Sequence, residues 1–123
     1  IPPPGSLILG LGGTGAAVVQ NVRHRLTLSG MQLDKATDMQ WLVVDTDPCT
    51  IQQCAEDPHL DRNDLLHLQL RNPQYYRELS QDAFAPLSRR WLHNVPRSLL
   101  TEGVRPLGML AYLEHIPECY EII

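Results

Sequence analysis

One hexapeptide, Gly10-Leu11-Gly12-Gly13-Thr14-Gly15, constrains this chain more than any other feature. It follows Ser6–Leu9, which reads as a short buried strand, and precedes a segment with helical spacing, Ala16–Leu28. A G-x-G-x-x-G turn between a strand and a helix has a definite physical use. Glycine permits the tight reversal, and the missing Cβ lets backbone N–H groups approach an anion. The helix that follows offers unsatisfied N–H donors at the positive end of its dipole. The candidate phosphate-binding residues are therefore Gly10, Gly12, Gly13 and Gly15, with Thr14 adding a hydroxyl donor. No G-K-[ST] ending is present, which excludes a Walker loop. The same residues also read as a tight strand-to-helix turn that holds no ligand.

The rest of the chain alternates in a way that sets the fold class. Val18, Val19, Val22 and Leu26 define the expected apolar face of the first helix, with Arg23 and Arg25 off it and Gly30 as its stop signal. A polar stretch, Gln32–Gln40, leads to Trp41–Val44, a continuous apolar run of the kind expected for a parallel strand covered on both faces. Thr50–Ala55 predicts a short helix starting near Pro48 or Thr50. Leu65–Leu70 predicts a third strand, ended by Asn72-Pro73. Leu87–Leu100 predicts a helix around Trp91, Leu92 and Val95, interrupted at Pro96. Arg105–His115 predicts a last helix with Pro106 in its first turn. The expectation is an α/β chain: half of a doubly wound, Rossmann-like fold of three layers, its parallel sheet in order 3-2-1 with right-handed crossovers. By domain, 1–5 is a Pro-rich lead, 6–115 the body, and 116–123 a tail or the start of a further strand.

Composition removes several function classes. At 123 residues with 43% apolar and 20% charged residues, the chain is long enough and ordinary enough to fold around a core. Its 14 acids outweigh 10 bases, of which Lys35 is the only lysine, so a nucleic-acid binder held by phosphate contacts is not expected. No apolar run is long enough for a membrane span. Cys49, Cys54 and Cys119 are an odd number in no metal spacing, which suits a reducing cytoplasm. His24, His59, His67, His93 and His115 are scattered, with no H-x-x-x-H pair. Trp41 and Trp91 are expected in cores, Tyr75 and Tyr76 in packing, and Arg89 and Arg90 on a solvated helix face. The opening Ile1-Pro2-Pro3-Pro4, without Met, suggests a piece of a longer protein.

The second chemical signal is Val44-Asp45-Thr46-Asp47-Pro48, at the expected carboxyl end of the second strand. A dinucleotide fold keeps an acid there for ribose hydroxyls, typically about 20 residues after the glycines. Here Asp45 lies 30 residues after Gly15. Two acids flanking Thr46 suit a hydrated Mg²⁺ beside phosphates, since that ion keeps its waters and takes few carboxylates. The alternative reading is that both acids only cap the helix after Pro48.

Together these residues resemble a family. Gly10–Gly15 followed by a helix looks like the first nucleotide loop of the tubulin/FtsZ superfamily. Trp41–Ile51 is similar to tubulin's second strand and its acidic D-x-E-P-x-T loop, and to the N-T-D stretch of FtsZ. Leu100–Tyr112 resembles the loop and helix start after the third strand, where bacterial tubulin-like proteins carry an R-P-x-G-R-x-A pattern. The resemblance implies that Gly10, Gly12, Gly13, Thr14 and Gly15 line the phosphates of a purine nucleotide, GTP or GDP. It implies that Asp45 and Asp47 face the phosphates and Mg²⁺, directly or through water, and that Gly103 and Arg105 lie near the terminal phosphate. Nucleotide-linked self-association in a longer parent protein goes with it. Ala17 stands where FtsZ carries a base-reading Asn, and Met109 where the bacterial pattern has Arg. The family's G-G-G-T-G-[ST]-G loop has no counterpart in this sequence, so little or no hydrolysis is expected of this chain alone. The alternatives are a Rossmann domain for NAD or FAD, an ATP-using adenylating domain of the ubiquitin-activating type, and an assembly module that has lost its ligand.

Overall fold

A computed structural model describes residues 5–30, 39–78 and 95–122. They fall into two compact units, Ile1–His67 and Leu68–Ile123, each taken by itself below. No helix among the described residues is long and apolar enough to cross a membrane.

The first unit is the Rossmann-like half that the sequence implies. Strand β1 (Ser6–Leu11), helix α1 (Gly12–Leu28), strand β2 (Met39–Asp45), helix α2 (Pro48–Ala55), a single 3₁₀ turn (Arg62–Asp64) and strand β3 (Leu65–His67) follow in that order. The three strands are all parallel in the order β1-β2-β3, the expected 3-2-1 arrangement counted from the other edge. Trp41, Leu42 and Val43 are consecutive and all buried, so β2 is covered on both faces. One face holds the core: Ala16 and Val19 of α1, Cys54 of α2, and Trp41 and Val43 of β2, with Ile8, Ile51 and Leu65 packed against them. Strand β1 is not the buried strand expected. Its inward residues are Ile8 and Gly10, while Leu7, Leu9 and Leu11 alternate outward and are exposed.

Helix α1 starts four residues earlier than Ala16, absorbing Gly12–Gly15 into its first turn. It ends as expected, with Gly30 at a φ of 87° and its N–H donating to the Thr27 carbonyl. Its inner face differs from the valine stripe. Ala16, Val19 and Arg23 are buried, and Val18 and Val22 are exposed. Arg23 explains the rotation. Its guanidinium lies 5.3 Å from the Trp41 ring centroid, and its Nη1 donates to Asp64 Oδ2 at 3.0 Å. The aliphatic stem thus fills apolar space while the charge finds a carboxylate and an aromatic face. Asp64 also accepts from the Asp61 N–H at 3.0 Å, so one ion pair fixes α1 to the turn that launches β3. Removing one partner of a buried ion pair typically costs about 3–5 kcal/mol, less here because Asp64 keeps some exposure.

The second unit contains helices α3 (Pro73–Glu78), α4 (Arg105–Glu114) and α5 (Ile116–Ile122). Three expectations change here. The third strand stops at His67 rather than Leu70. The tail is helical rather than linker or strand, with Pro117 in its first turn. Residues 95–100 form a turn, not the end of a helix; the remainder of the helix expected over Leu87–Leu100, with Arg89, Arg90, Trp91 and His93, lies outside the described residues. So does most of the polar stretch before β2. Leu107, Leu110 and Ala111 of α4 are buried.

Tyr76 organises this unit. It is 1% exposed, its hydroxyl donates to Glu114 Oε2 at 2.7 Å, and the Arg71 N–H donates to that hydroxyl at 2.9 Å. Arg71 Nε completes the group with a bond to Glu114 Oε1 at 3.2 Å. Burial, reinforced by the Glu114 carboxylate, holds the phenol protonated well above its ordinary range. The native state thus keeps a proton that the unfolded chain loses above about pH 10. Tyr76 stabilises the unit fully below that pH, and its contribution falls by up to about 1.4 kcal/mol per pH unit above it. Tyr76→Phe should cost about 1.5–3 kcal/mol at neutral pH, the worth of a hydrogen bond to a charged group. That deficit relative to wild type should shrink between about pH 10 and pH 12, as followed by urea unfolding with circular dichroism.

Candidate functional site

The register of the sheet gathers the candidate residues of the first unit. Leu11 pairs with Val44, and Val44 with Leu66. The next row is therefore Gly12, Asp45 and His67, at the carboxyl ends of three parallel strands. That edge is where ligands sit in open α/β sheets. His67, which the sequence left among scattered histidines, is drawn into this row by pairing with Asp45, and its Nε2 lies 3.0 Å from the Thr46 carbonyl oxygen.

The glycines of the turn divide into two pairs with different work. A Cβ on Gly10 would lie 2.7 Å from the Gly15 carbonyl oxygen and 2.8 Å from Val19 Cγ2. A Cβ on Gly15 would lie 2.8 Å from the Gly10 carbonyl carbon. These two residues let strand and helix backbones touch. Among the described residues Gly12 and Gly13 face open space instead: none comes within 4 Å of a Cβ on Gly12, and Thr50 Oγ1, at 3.8 Å, is the one atom that does so for Gly13. Gly12 has a φ of 70°, which favours glycine. Gly13 has no positive φ and, among the described residues, no close neighbour; it is the second residue of α1, where glycine is worse than alanine by up to about 1 kcal/mol.

The start of α1 is also without a side-chain cap. Leu11 occupies the N-cap position, and no acid lies in the first turn. A 17-residue helix thus begins at the sheet edge with no side-chain cap, and among the described residues no side chain bonds its first N–H groups. Thr14 is exposed beside them.

Both acids have structural partners. Asp47 caps α2, its Oδ1 accepting from the Cys49 N–H at 2.8 Å. Asp45 Oδ1 accepts from the Asp47 N–H at 3.2 Å. Capping, one of the three readings of this motif, is therefore realised at Asp47. Buried Cys54 is held protonated above the usual thiol range by burial, then by the carboxylates of Asp57 and Asp45. It is a core residue rather than a nucleophile. The three cysteines are free thiols. No group of three or more His, Cys, Asp or Glu side chains among the described residues could hold a metal ion. A Mg²⁺ ion that keeps its waters and takes phosphate oxygens needs no such group. Thr50, beside Gly13, is the residue that the sequence reading left out of the site, although it closes the D-x-D-P-x-T stretch.

Gly103 and Arg105 belong to the second unit. Gly103 has a φ of 78° in a turn closed by the Val104 N–H donating to the Thr101 carbonyl at 2.8 Å. Arg105 is exposed and opens α4, which has no acid in its first turn. The structure brings Gly10, Gly12, Gly13, Thr14, Gly15, Asp45 and Asp47 into one unit, and describes these two residues in the other.

No protein-family model, curated protein or solved structure matches this chain.

The division among the glycines is open to test. Gly10→Ala and Gly15→Ala should each cost at least about 1–3 kcal/mol, because the added methyl meets backbone. Gly13→Ala should leave stability unchanged or raise it by up to about 1 kcal/mol. Urea unfolding of the three variants reads this directly.

Proposed function

We propose that the first unit binds the phosphates of a purine nucleotide, GTP or GDP with Mg²⁺, as the first nucleotide-binding segment of a bacterial tubulin/FtsZ-like protein. The observation that carries this reading is Gly13. Its backbone angle does not call for glycine, nothing among the described residues packs closely against it, and glycine is disfavoured relative to alanine at a helical position. An anion seated against the first turn of α1 supplies the missing reason, because a side chain there would keep phosphate oxygens from the backbone N–H groups. The uncapped start of α1 supports the same reading.

Charge then argues for the metal. Asp45 and Asp47 stand at the same sheet edge, and two carboxylates repel a polyphosphate unless a cation lies between them. Mg²⁺ joined through water to one or both, and directly to phosphate oxygens, resolves the conflict. Arg105, a cation at the positive end of α4, is electrostatically disfavoured there until an anion joins it. In the parent protein, bound nucleotide is coupled to self-association. Strand β1 suits that role, since Leu7, Leu9 and Leu11 are exposed and no described strand pairs with its other edge.

Thermal unfolding with GTP, GDP, ATP and NAD, each with and without Mg²⁺, tests the proposal. A ligand at about 100 times its dissociation constant stabilises by about 2.7 kcal/mol. The expected result is a Mg²⁺-dependent upward shift with GTP or GDP that is lost in Asp45→Ala and in the stably folded Gly13→Ala. A shift with NAD alone would replace this reading with a dinucleotide-binding domain. No shift with any nucleotide would leave a ligand-free assembly module.

A further inference from the structure

A second site lies away from the sheet edge, on the outer side of the same unit. An open groove of about 540 Å³ runs between α1 and the turn after α2, lined in part by Gln20, His24, Gln53, Glu56, Asp57 and His59. His24 projects from α1, nine residues beyond Gly15, or about 13 Å along the helix. His59 comes from the turn after α2, 35 residues further along the chain. Their rings are adjacent, tilted by 58° with centroids 5.4 Å apart, and His24 Nδ1 stands 3.5 Å from His59 Nε2.

That separation is long for a good N–H···N hydrogen bond. It is close to what a shared metal ion requires. Two imidazole nitrogens, each about 2.0–2.1 Å from a tetrahedral ion, lie ~3.4 Å apart. The turn carrying His59 is also fixed in place. The His59 N–H donates to Asp57 Oδ1 at 2.8 Å, Gln20 Nε2 donates to Asp57 Oδ2 at 3.1 Å, and the Asp57 N–H donates to the Cys54 carbonyl at 3.1 Å. One imidazole therefore rides on a helix and the other on a turn tied to that helix, so little order must be gained when an ion arrives.

We infer that His24 and His59 form a two-histidine site for a borderline divalent transition metal of the Zn²⁺, Ni²⁺ or Cu²⁺ class, clamping α1 to the turn after α2. Imidazole ligands select these ions over Mg²⁺ and Ca²⁺, which prefer oxygen. The remaining coordination positions open into the groove, to water. The site uses none of the residues proposed for nucleotide, so the two assignments stand or fall separately.

The test is a calorimetric titration of the full chain with Zn²⁺, run on wild type, His24→Ala, His59→Ala and Cys49→Ser. Cys49→Ser is included because that thiol is exposed and can bind the same ions. Both histidines are at the surface, so their variants should keep the wild-type circular dichroism spectrum. Loss of even an outer partner of a metal site costs 10–100-fold in affinity, so each histidine variant should weaken binding by at least about tenfold, while Cys49→Ser changes it less than about twofold. Electron paramagnetic resonance of the Cu²⁺ form should show two equivalent imidazole nitrogens. Absence of one-to-one binding, binding that survives either histidine substitution, or a spectrum with thiolate or a single nitrogen would each overturn the assignment.

Discussion

The backbone contact between Gly10 and Gly15 fixes everything around it in the first unit. Strand and helix cross so closely that neither residue can carry a methyl group without meeting main-chain atoms of the other. This contact sets the angle at which α1 leaves the sheet. It presses Ala16 and Val19 onto Trp41 and Val43 and directs Arg23 toward Trp41 and Asp64. It also leaves the amino end of α1 projecting past the edge of the sheet, where Leu11 gives no side-chain cap. A packing constraint has thereby created an electrostatic feature: a helix start whose N–H donors face outward beside Asp45.

The surroundings of that helix start are built to the same geometry. Parallel pairing in strict register brings the ends of β1, β2 and β3 to one line, so the residues that follow Leu11, Val44 and Leu66 converge without any long-range search. Asp47 stabilises α2 while Asp45 stabilises the turn that delivers it, and Thr50 comes against Gly13 as a result. The same acids that shape the local fold thus set the charge of the edge. Structure and proposed chemistry draw on one small set of residues, so a substitution there acts on stability and on the charge of the edge together.

Much of this was legible in the sequence, for identifiable reasons. Alternating apolar runs and glycine punctuation have short-range causes, so β2, α2, the stop at Gly30 and the start of α4 at Arg105 could be read directly. Other features depended on tertiary partners. The valine stripe of α1 misled because Val18 and Val22 are as apolar as Val19, and the Gly10–Gly15 contact together with the Arg23 pairing decides which face turns inward. Arg23 looked like a surface charge because its partners, Trp41 and Asp64, lie far along the chain. The hexapeptide was recognisable as a motif, but the split between packing glycines and open glycines requires the positions of Val19 and Thr50. His24 and His59 carried no spacing signal at all, since a strand and a helix intervene between them. Pro117, which suits the first turn of a helix, is the local signal for the helical tail.

The central claim is that backbone amides at the start of α1 receive phosphate, and amide-resolved nuclear magnetic resonance observes those groups directly. In a titration of ¹⁵N-labelled protein with GTP and Mg²⁺, the account predicts saturable shifts concentrated at the amides of Gly12, Gly13 and Thr14, with smaller ones at Asp45 and Thr50. Inorganic triphosphate should reproduce the shifts of the turn. Saturation of the protein with nucleotide while the Gly12–Thr14 amides stay unmoved would contradict the account, as would a complete lack of response across the turn.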